Sequence, residues 1–152
     1  MALIRLAILA LLLSGATFAD DRRAEVNYML HCQGCHLPKA EGMDGRVPPL
    51  KDFVGNFLHS REGRDFLIRV PGVAHSALSN EEVAELMNWL LESFSAGQLP
   101  DPFIPYTQEE VEALRSDPER NPGAARLRIL SALAMKLPDV AATLGRDSPS
   151  RR

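Results

Sequence analysis

The two cysteines of this 152-residue chain lie in one short segment, Cys32-Gln33-Gly34-Cys35-His36. The pattern Cys-x-x-Cys-His is typical of covalent attachment of c-type haem. Two thiols at this spacing can reach the two vinyl groups on one edge of a porphyrin, and the glycine between them tolerates an unusual backbone angle. The next residue then falls beneath the iron, where an imidazole nitrogen can bind as the proximal ligand. The sequence therefore predicts one haem c per chain, held by Cys32 and Cys35 and ligated by His36.

Two other kinds of site use the same cysteine spacing. A thioredoxin-like redox pair needs a βαβ context, and no convincing strand pattern lies near the motif. A zinc site needs further ligands, but no second cysteine pair follows, and His31 would have to join the motif in a cramped cluster. The N-terminal segment, described next, independently favours haem attachment over these two sites.

Residues 1–19 have the form of a secretory signal peptide. Arg5 supplies an early positive charge, residues 6–13 are apolar, and the small residues near Ala19 suit a cleavage site. The apolar run is shorter than the ~20 residues of a transmembrane helix, so a membrane location is expected only if the segment stays uncleaved. Because bacteria attach haem c outside the cytoplasm, we expect the protein in the periplasm.

The charge balance is mildly acidic, with 17 basic residues, 20 acidic residues and a formal net charge of −3. This balance argues against nucleic acid as a partner. Eight acidic residues and no Lys or Arg lie between residues 81 and 112. We interpret them as ordinary solvated helix faces. The alternative is an acidic docking patch that orients a basic redox partner.

A proline-rich and glycine-rich segment, residues 37–50, follows the haem motif and ends in Pro48-Pro49-Leu50. This composition predicts a loop. Together with the motif, the segment resembles the class I cytochrome c pattern. The resemblance implies that a backbone carbonyl of Pro48 or Pro49 accepts the second N–H of the proximal histidine, a bond that fixes the tautomer and raises ligand basicity.

The sixth iron ligand is less clear, because residues 71–78 occupy the place where the resembled family carries a methionine and contain none. His75 is the only strong iron ligand in this loop, so we expect His36/His75 coordination, with Met43 as the alternative sixth ligand. An imidazole in place of a thioether lowers the reduction potential. An open or water-bound sixth position is a further possibility. Weaker candidate ligands are Met29, Met87 and His59.

The haem unit is predicted to be all-α and to span residues 20–97. Helices are expected at residues 22–33, in two pieces over residues 52–70, and from a capping box at Ser79 to Gly97. The helical periodicity places three apolar residues on one face of the first helix, namely Val26, Met29 and Leu30. Met29 and Met87 are expected in the core for the same reason.

A C-terminal extension over residues 98–138 goes beyond a minimal cytochrome. A proline-rich strap runs from Gln98 to Tyr106, a second capping box at Thr107 opens a short helix, and Asn121-Pro122 opens another. We expect these elements to pack on the haem unit; a docking arm for a partner subunit is the alternative. Residues 139–152 are predicted to form a disordered tail.

These features predict a periplasmic electron carrier with no catalytic residues. Its partner is expected to be a periplasmic dehydrogenase or oxidase. One alternative is a haem enzyme or a gas or redox sensor with an exchangeable sixth iron site. Another is the haem subunit of a larger dehydrogenase complex.

Overall fold

The computed structural model describes residues 15–146, and this part of the chain is all-helical apart from one isolated antiparallel bridge, Met43 to Val47. The predicted fold class is therefore confirmed. The haem-motif half contains α1 (Gly15–His31), α2 (Gln33–His36), a 3₁₀ helix (Val54–His59), α3 (Arg61–Arg69), α4 (Pro71–Ala74) and α5 (Asn80–Ser95). Residues 96–146, which include the predicted extension, contain a 3₁₀ turn (Ala96–Gln98), α6 (Gln108–Arg115), α7 (Pro122–Ala134) and α8 (Pro138–Arg146).

The frame of the fold is the packing of α1 against α5. Tyr28 of α1 is 2% exposed, and its ring centroid lies 5.8 Å from that of Trp89 and 5.2 Å from that of Phe94. Helix α5 begins at the predicted capping box, in which the Ser79 hydroxyl accepts from the Glu82 N–H and the Glu82 carboxylate accepts from the Ser79 N–H. Because α2 follows α1 directly, this packing also fixes the position of the haem motif.

Helix α1 buries a different face from the one that periodicity suggests. Its residues against the core are Ala24, Asn27 and Tyr28. Val26, Met29 and Leu30 are 46%, 55% and 72% exposed, so the expectation that Met29 belongs to the core is wrong. The buried face of α1 combines the small Ala24 with the large aromatic ring of Tyr28. This packing leaves the aliphatic face of α1 outside the protein core.

The C-terminal extension packs back on the haem unit. Val111 of α6 and Ile129 and Leu130 of α7 are buried in the same hydrophobic cluster as α5. Tyr106, at the end of the strap, is 3% exposed and donates its hydroxyl to the Arg64 carbonyl at 2.7 Å. The extension and the haem unit therefore share one core.

The predicted disordered tail, residues 139–152, is wrong for its first part. Residues up to Arg146 form α8, and Val140 is fully buried, with Leu137 and Leu144 packed against the core. The apolar residues recur at three-residue and four-residue steps, and Pro138 is tolerated because it opens the helix. Residues 147–152 lie outside the described part.

The predicted signal peptide lies mostly outside the described residues, which begin at residue 15. Residues 15–19 form the start of α1. Among residues 15–146, no helix combines the length and the apolar character needed to cross a membrane.

Candidate haem-binding site

The haem motif forms a tight helical turn at the end of α1. The Cys32 N–H donates to the Tyr28 carbonyl at 2.9 Å, and the N–H groups of Cys35 and His36 donate to the Cys32 carbonyl at 3.1 and 2.9 Å. Both cysteines are free thiols, Cys32 half-buried and Cys35 exposed. Burial raises the pKa of the Cys32 thiol to about 11. The turn thus brings two thiols and one imidazole together within five residues of chain.

The loop after the motif folds back over it. The Tyr28 hydroxyl donates to the Leu37 carbonyl at 2.6 Å, and the Gly42 N–H donates to the His36 carbonyl at 3.0 Å. Gly42 has φ +70°, and a Cβ there would lie 2.5 Å from the Val47 carbonyl oxygen and 2.8 Å from that of Pro48. Only glycine fits this close approach of backbone to backbone. The folded loop therefore places the Pro48 carbonyl next to the His36 ring.

His36 has the properties of a proximal ligand. Burial lowers the pKa of its imidazole, and the nearby Pro48 carbonyl opposes this effect in part. The contact between the Pro48 carbonyl and the His36 ring is weaker than a hydrogen bond. Nδ1 of His36 is buried and has no hydrogen-bond partner within residues 15–146. An unpaired buried polar atom costs about 1–3 kcal/mol, so this nitrogen needs an acceptor. Of the two prolines predicted to supply one, Pro48 is the one whose carbonyl lies beside the ring.

The residues around the motif fit a covalently bound porphyrin. Metal ligation needs a neutral imidazole, which burial favours at His36. The exposed apolar side chains of α1 lie within six residues of Cys32 and offer apolar surface to a macrocycle. These side chains are Val26, Met29 and Leu30.

The two predicted sixth ligands lie on separate loops. His75 is exposed at the end of α4, and its N–H donates to the Pro71 carbonyl at 3.1 Å. Met43 is half-buried, and its backbone pairs with Val47 at 2.8 Å in both directions. The described residues form no cluster of three or more His, Cys, Asp or Glu side chains able to hold a metal.

The weaker ligand candidates have other surroundings. Nε2 of His59 lies 3.0 Å from the Gln98 carbonyl oxygen. Met87 is 5% exposed within α5, as predicted for a core residue, whereas Met29 is exposed on α1.

The three half-buried members of the eight acidic residues between 81 and 112 have partners within the fold. Glu82 caps α5, Glu85 pairs with Arg23, and Glu110 pairs with Arg64. The remaining five are exposed on the surface, namely Glu81, Glu92, Asp101, Glu109 and Glu112.

Two residues near the site carry no sequence signal that predicts their contacts. Tyr28 binds the loop after the haem motif through its hydroxyl. An aromatic residue in an amphipathic helix predicts burial but not this hydrogen bond. Arg115, in the extension, binds the loop that contains His75. A lone arginine at the end of a helix is typical of solvated surface, so only the three-dimensional structure reveals this contact.

Comparison with known proteins agrees with the motif. No family model matches the chain. A cytochrome c-552 of Thermus thermophilus is 29% identical over 124 residues, which cover 70% of this chain and 82% of that protein. Another cytochrome c-552 from the same species is 29% identical over 103 residues, covering 56% of this chain and 79% of that protein. The predicted resemblance to c-type cytochromes is therefore confirmed, and this chain is distantly similar to the Thermus cytochromes c-552.

Proposed function

We propose that this protein is a one-electron carrier that holds a single haem c through Cys32 and Cys35, with His36 as the proximal iron ligand. The observation that carries the proposal is the turn in which two free thiols precede a half-buried imidazole, whose Nδ1 is buried and has no hydrogen-bond partner among the described residues. The similarity to two cytochromes c-552 supports the same cofactor. When bound, the haem iron supplies the one-electron chemistry by cycling between ferric and ferrous states.

The chain's own residues hold and orient that group. Two covalent bonds suit a carrier, because the cofactor cannot be lost during encounters with partners. With haem bound, the Pro48 carbonyl would accept the Nδ1 hydrogen of His36, and this bond would leave the other ring nitrogen free to ligate the iron. Tyr28 and Gly42 keep the loop folded so that this carbonyl stays beside the ring.

His75 is our proposal for the sixth ligand, with Met43 as the alternative. The loop of residues 71–78 offers no thioether, and His75 is exposed at its centre. Two imidazole ligands would give a low-spin haem with a lower reduction potential than a histidine–methionine pair.

The proposed location is the periplasm, reached through a signal peptide at residues 1–19. The proposed partner is a periplasmic dehydrogenase or oxidase. Five exposed acidic residues on α5, the strap and α6 support docking to a basic surface.

A haem enzyme or sensor is the second candidate function. The exposure of His75 favours it, because a histidine that stays in solvent would leave the sixth iron position exchangeable.

Absorption and EPR spectra of the purified holoprotein test these proposals. We expect low-spin iron in the unmodified protein and in His59→Ala, a matched control with an exposed histidine, and altered coordination in His75→Ala. High-spin iron that binds carbon monoxide or cyanide readily in the unmodified protein would favour the enzyme or sensor. An unchanged spectrum in His75→Ala would remove the ligand assignment and leave the haem assignment intact.

A further inference from the structure

Arg115, the last residue of α6, joins the extension to the loop between α4 and α5. Its Nε donates to the Ala74 carbonyl at 3.1 Å, and its Nη2 donates to the Ser76 carbonyl at 2.7 Å. Its Nη1 donates at 2.9 Å to both the Leu78 carbonyl and Oδ1 of Asn80. All three guanidinium nitrogens therefore bind one seven-residue segment, Ala74–Asn80, which we call the His75 loop.

Between the end of α4 at Ala74 and the capping box at Ser79, two backbone N–H groups of the His75 loop donate within the fold. The His75 N–H donates to Pro71 and the Ser76 N–H donates to Val73, at 3.1 and 3.2 Å. The carbonyls at alternate positions of the loop instead depend on Arg115. Since backbone carbonyls need partners when they are removed from water, the guanidinium supports the middle of this segment, and α4 and the capping box of α5 hold its ends.

The geometry of arginine makes this support rigid. The guanidinium is planar and presents its donors at fixed angles, so it holds the carbonyls it binds at fixed relative positions. All four acceptors are neutral, and hydrogen bonds from a charged donor are stronger than those between neutral groups. Arg115 is also half-buried, which limits competition from water.

We propose that Arg115 is a positioning residue through which the C-terminal extension controls the haem iron: it holds the His75 loop in one conformation, and that conformation sets how His75 is presented to the iron. The contacts alone support the first part, that Arg115 holds the His75 loop. The effect on the iron rests on the proposed function.

This role separates Arg115 from the other arginines between the extension and the haem unit. Arg64 and Arg69 bind the extension from α3, and Arg128 of α7 binds Glu62 of α3. These contacts join two packed helical units. None of them reaches the His75 loop.

Hydrogen exchange of the full-length holoprotein tests the hold on the loop. The informative amides are those of His75 and Ser76, which are hydrogen-bonded in the folded protein. In Arg115→Ala we expect their exchange to accelerate at least about tenfold, because several charge-assisted bonds are lost together. Arg115→Lys keeps the charge without the planar donor set, so an intermediate acceleration is expected. Arg128→Ala, the matched control, should leave these amides unchanged.

EPR spectra and the reduction potential of the same variants test the effect on the iron. We expect both to change in Arg115→Ala and to stay as in the unmodified protein in Arg128→Ala. Unchanged exchange in both Arg115 variants would overturn the proposal, and if Arg115→Ala fails to fold, Arg115→Lys alone decides. Faster loop exchange with an unchanged spectrum and potential would overturn the control of the iron. A purified protein without haem would contradict the proposed function instead, while the exchange comparison would still decide whether Arg115 holds the loop.

Discussion

Replacing Arg64 by alanine tests whether the extension is an energetic part of the haem unit. Arg64 lies on α3 and forms a bidentate bond with Glu110 of α6, both distances being 2.7 Å. Its Nη1 donates to the Ile104 carbonyl at 2.7 Å, and its guanidinium carbon lies 4.1 Å from the centroid of the Tyr106 ring. One side chain thus joins α3 to both the strap and the helix of the extension.

The partial burial of the Arg64–Glu110 pair sets how much Arg64→Ala is expected to lower the free energy of unfolding. The side chains of Arg64 and Glu110 are 15% and 20% exposed. Exposed pairs contribute roughly 0.2–1 kcal/mol, whereas removing one partner of a fully buried pair costs about 3–5 kcal/mol. The cation–π contact adds about 0.5–1 kcal/mol. We therefore expect Arg64→Ala to lower the free energy of unfolding by about 2–3 kcal/mol, or Tm by roughly 5–10 °C for a chain of this size.

Guanidinium chloride unfolding of the holoprotein, followed by circular dichroism, measures this loss. A double-mutant cycle with Glu110→Gln should give a coupling of about 1–2 kcal/mol. The matched control is the pair Arg128 and Glu62, whose side chains are 63% and 53% exposed, and its coupling should be within experimental error. Equal effects of the two arginine substitutions, or a separate unfolding transition of the extension, would refute the reasoning.

In the haem-free protein, iodoacetamide at about pH 8 should alkylate the exposed Cys35 before Cys32, because burial raises the pKa of Cys32 to about 11 and only the thiolate reacts. Peptide mass mapping over time gives the order, and equal rates would contradict it. Gly42→Ala should lower both Tm and the yield of holoprotein, since its φ of +70° and the 2.5 Å approach to a carbonyl leave no room for Cβ. Gly123→Ala, at which a Cβ would meet nothing within 4 Å, is the control, and equal Tm values for the two variants would be evidence against the close approach. Ser79→Ala removes the N-cap of α5 and should cost about 1 kcal/mol in denaturant unfolding; no loss would mean that the cap contributes nothing.

The features that the sequence predicts well are local ones. The start of α5, which the structure confirms, needs only Ser79 and Glu82, and haem attachment, which stays a prediction, needs only five consecutive residues. Both follow from chemistry within a single helical turn, so no knowledge of the rest of the fold is required. The all-α class follows similarly from repeated helical periodicity.

The features that the sequence does not predict depend on distant partners. Periodicity groups Val26 with Met29, but the fit of Tyr28 against Trp89 decides which face of α1 is buried. The contacts of Arg115 join residues about 40 positions apart. In α8, Val140 becomes buried because the extension supplies a core for it to join. In each case, tertiary packing selects among possibilities that local sequence leaves open.

In the proposed function, one iron porphyrin is covalently joined to the chain through its two cysteines. Intact mass spectrometry of the mature protein, made in cells that can attach haem c, tests it directly. We predict an increase equal to one iron porphyrin, no thiol open to alkylation after denaturation, and loss of the covalent haem when Cys32 and Cys35 are both replaced by serine. An unmodified mass with two alkylatable thiols would contradict the account.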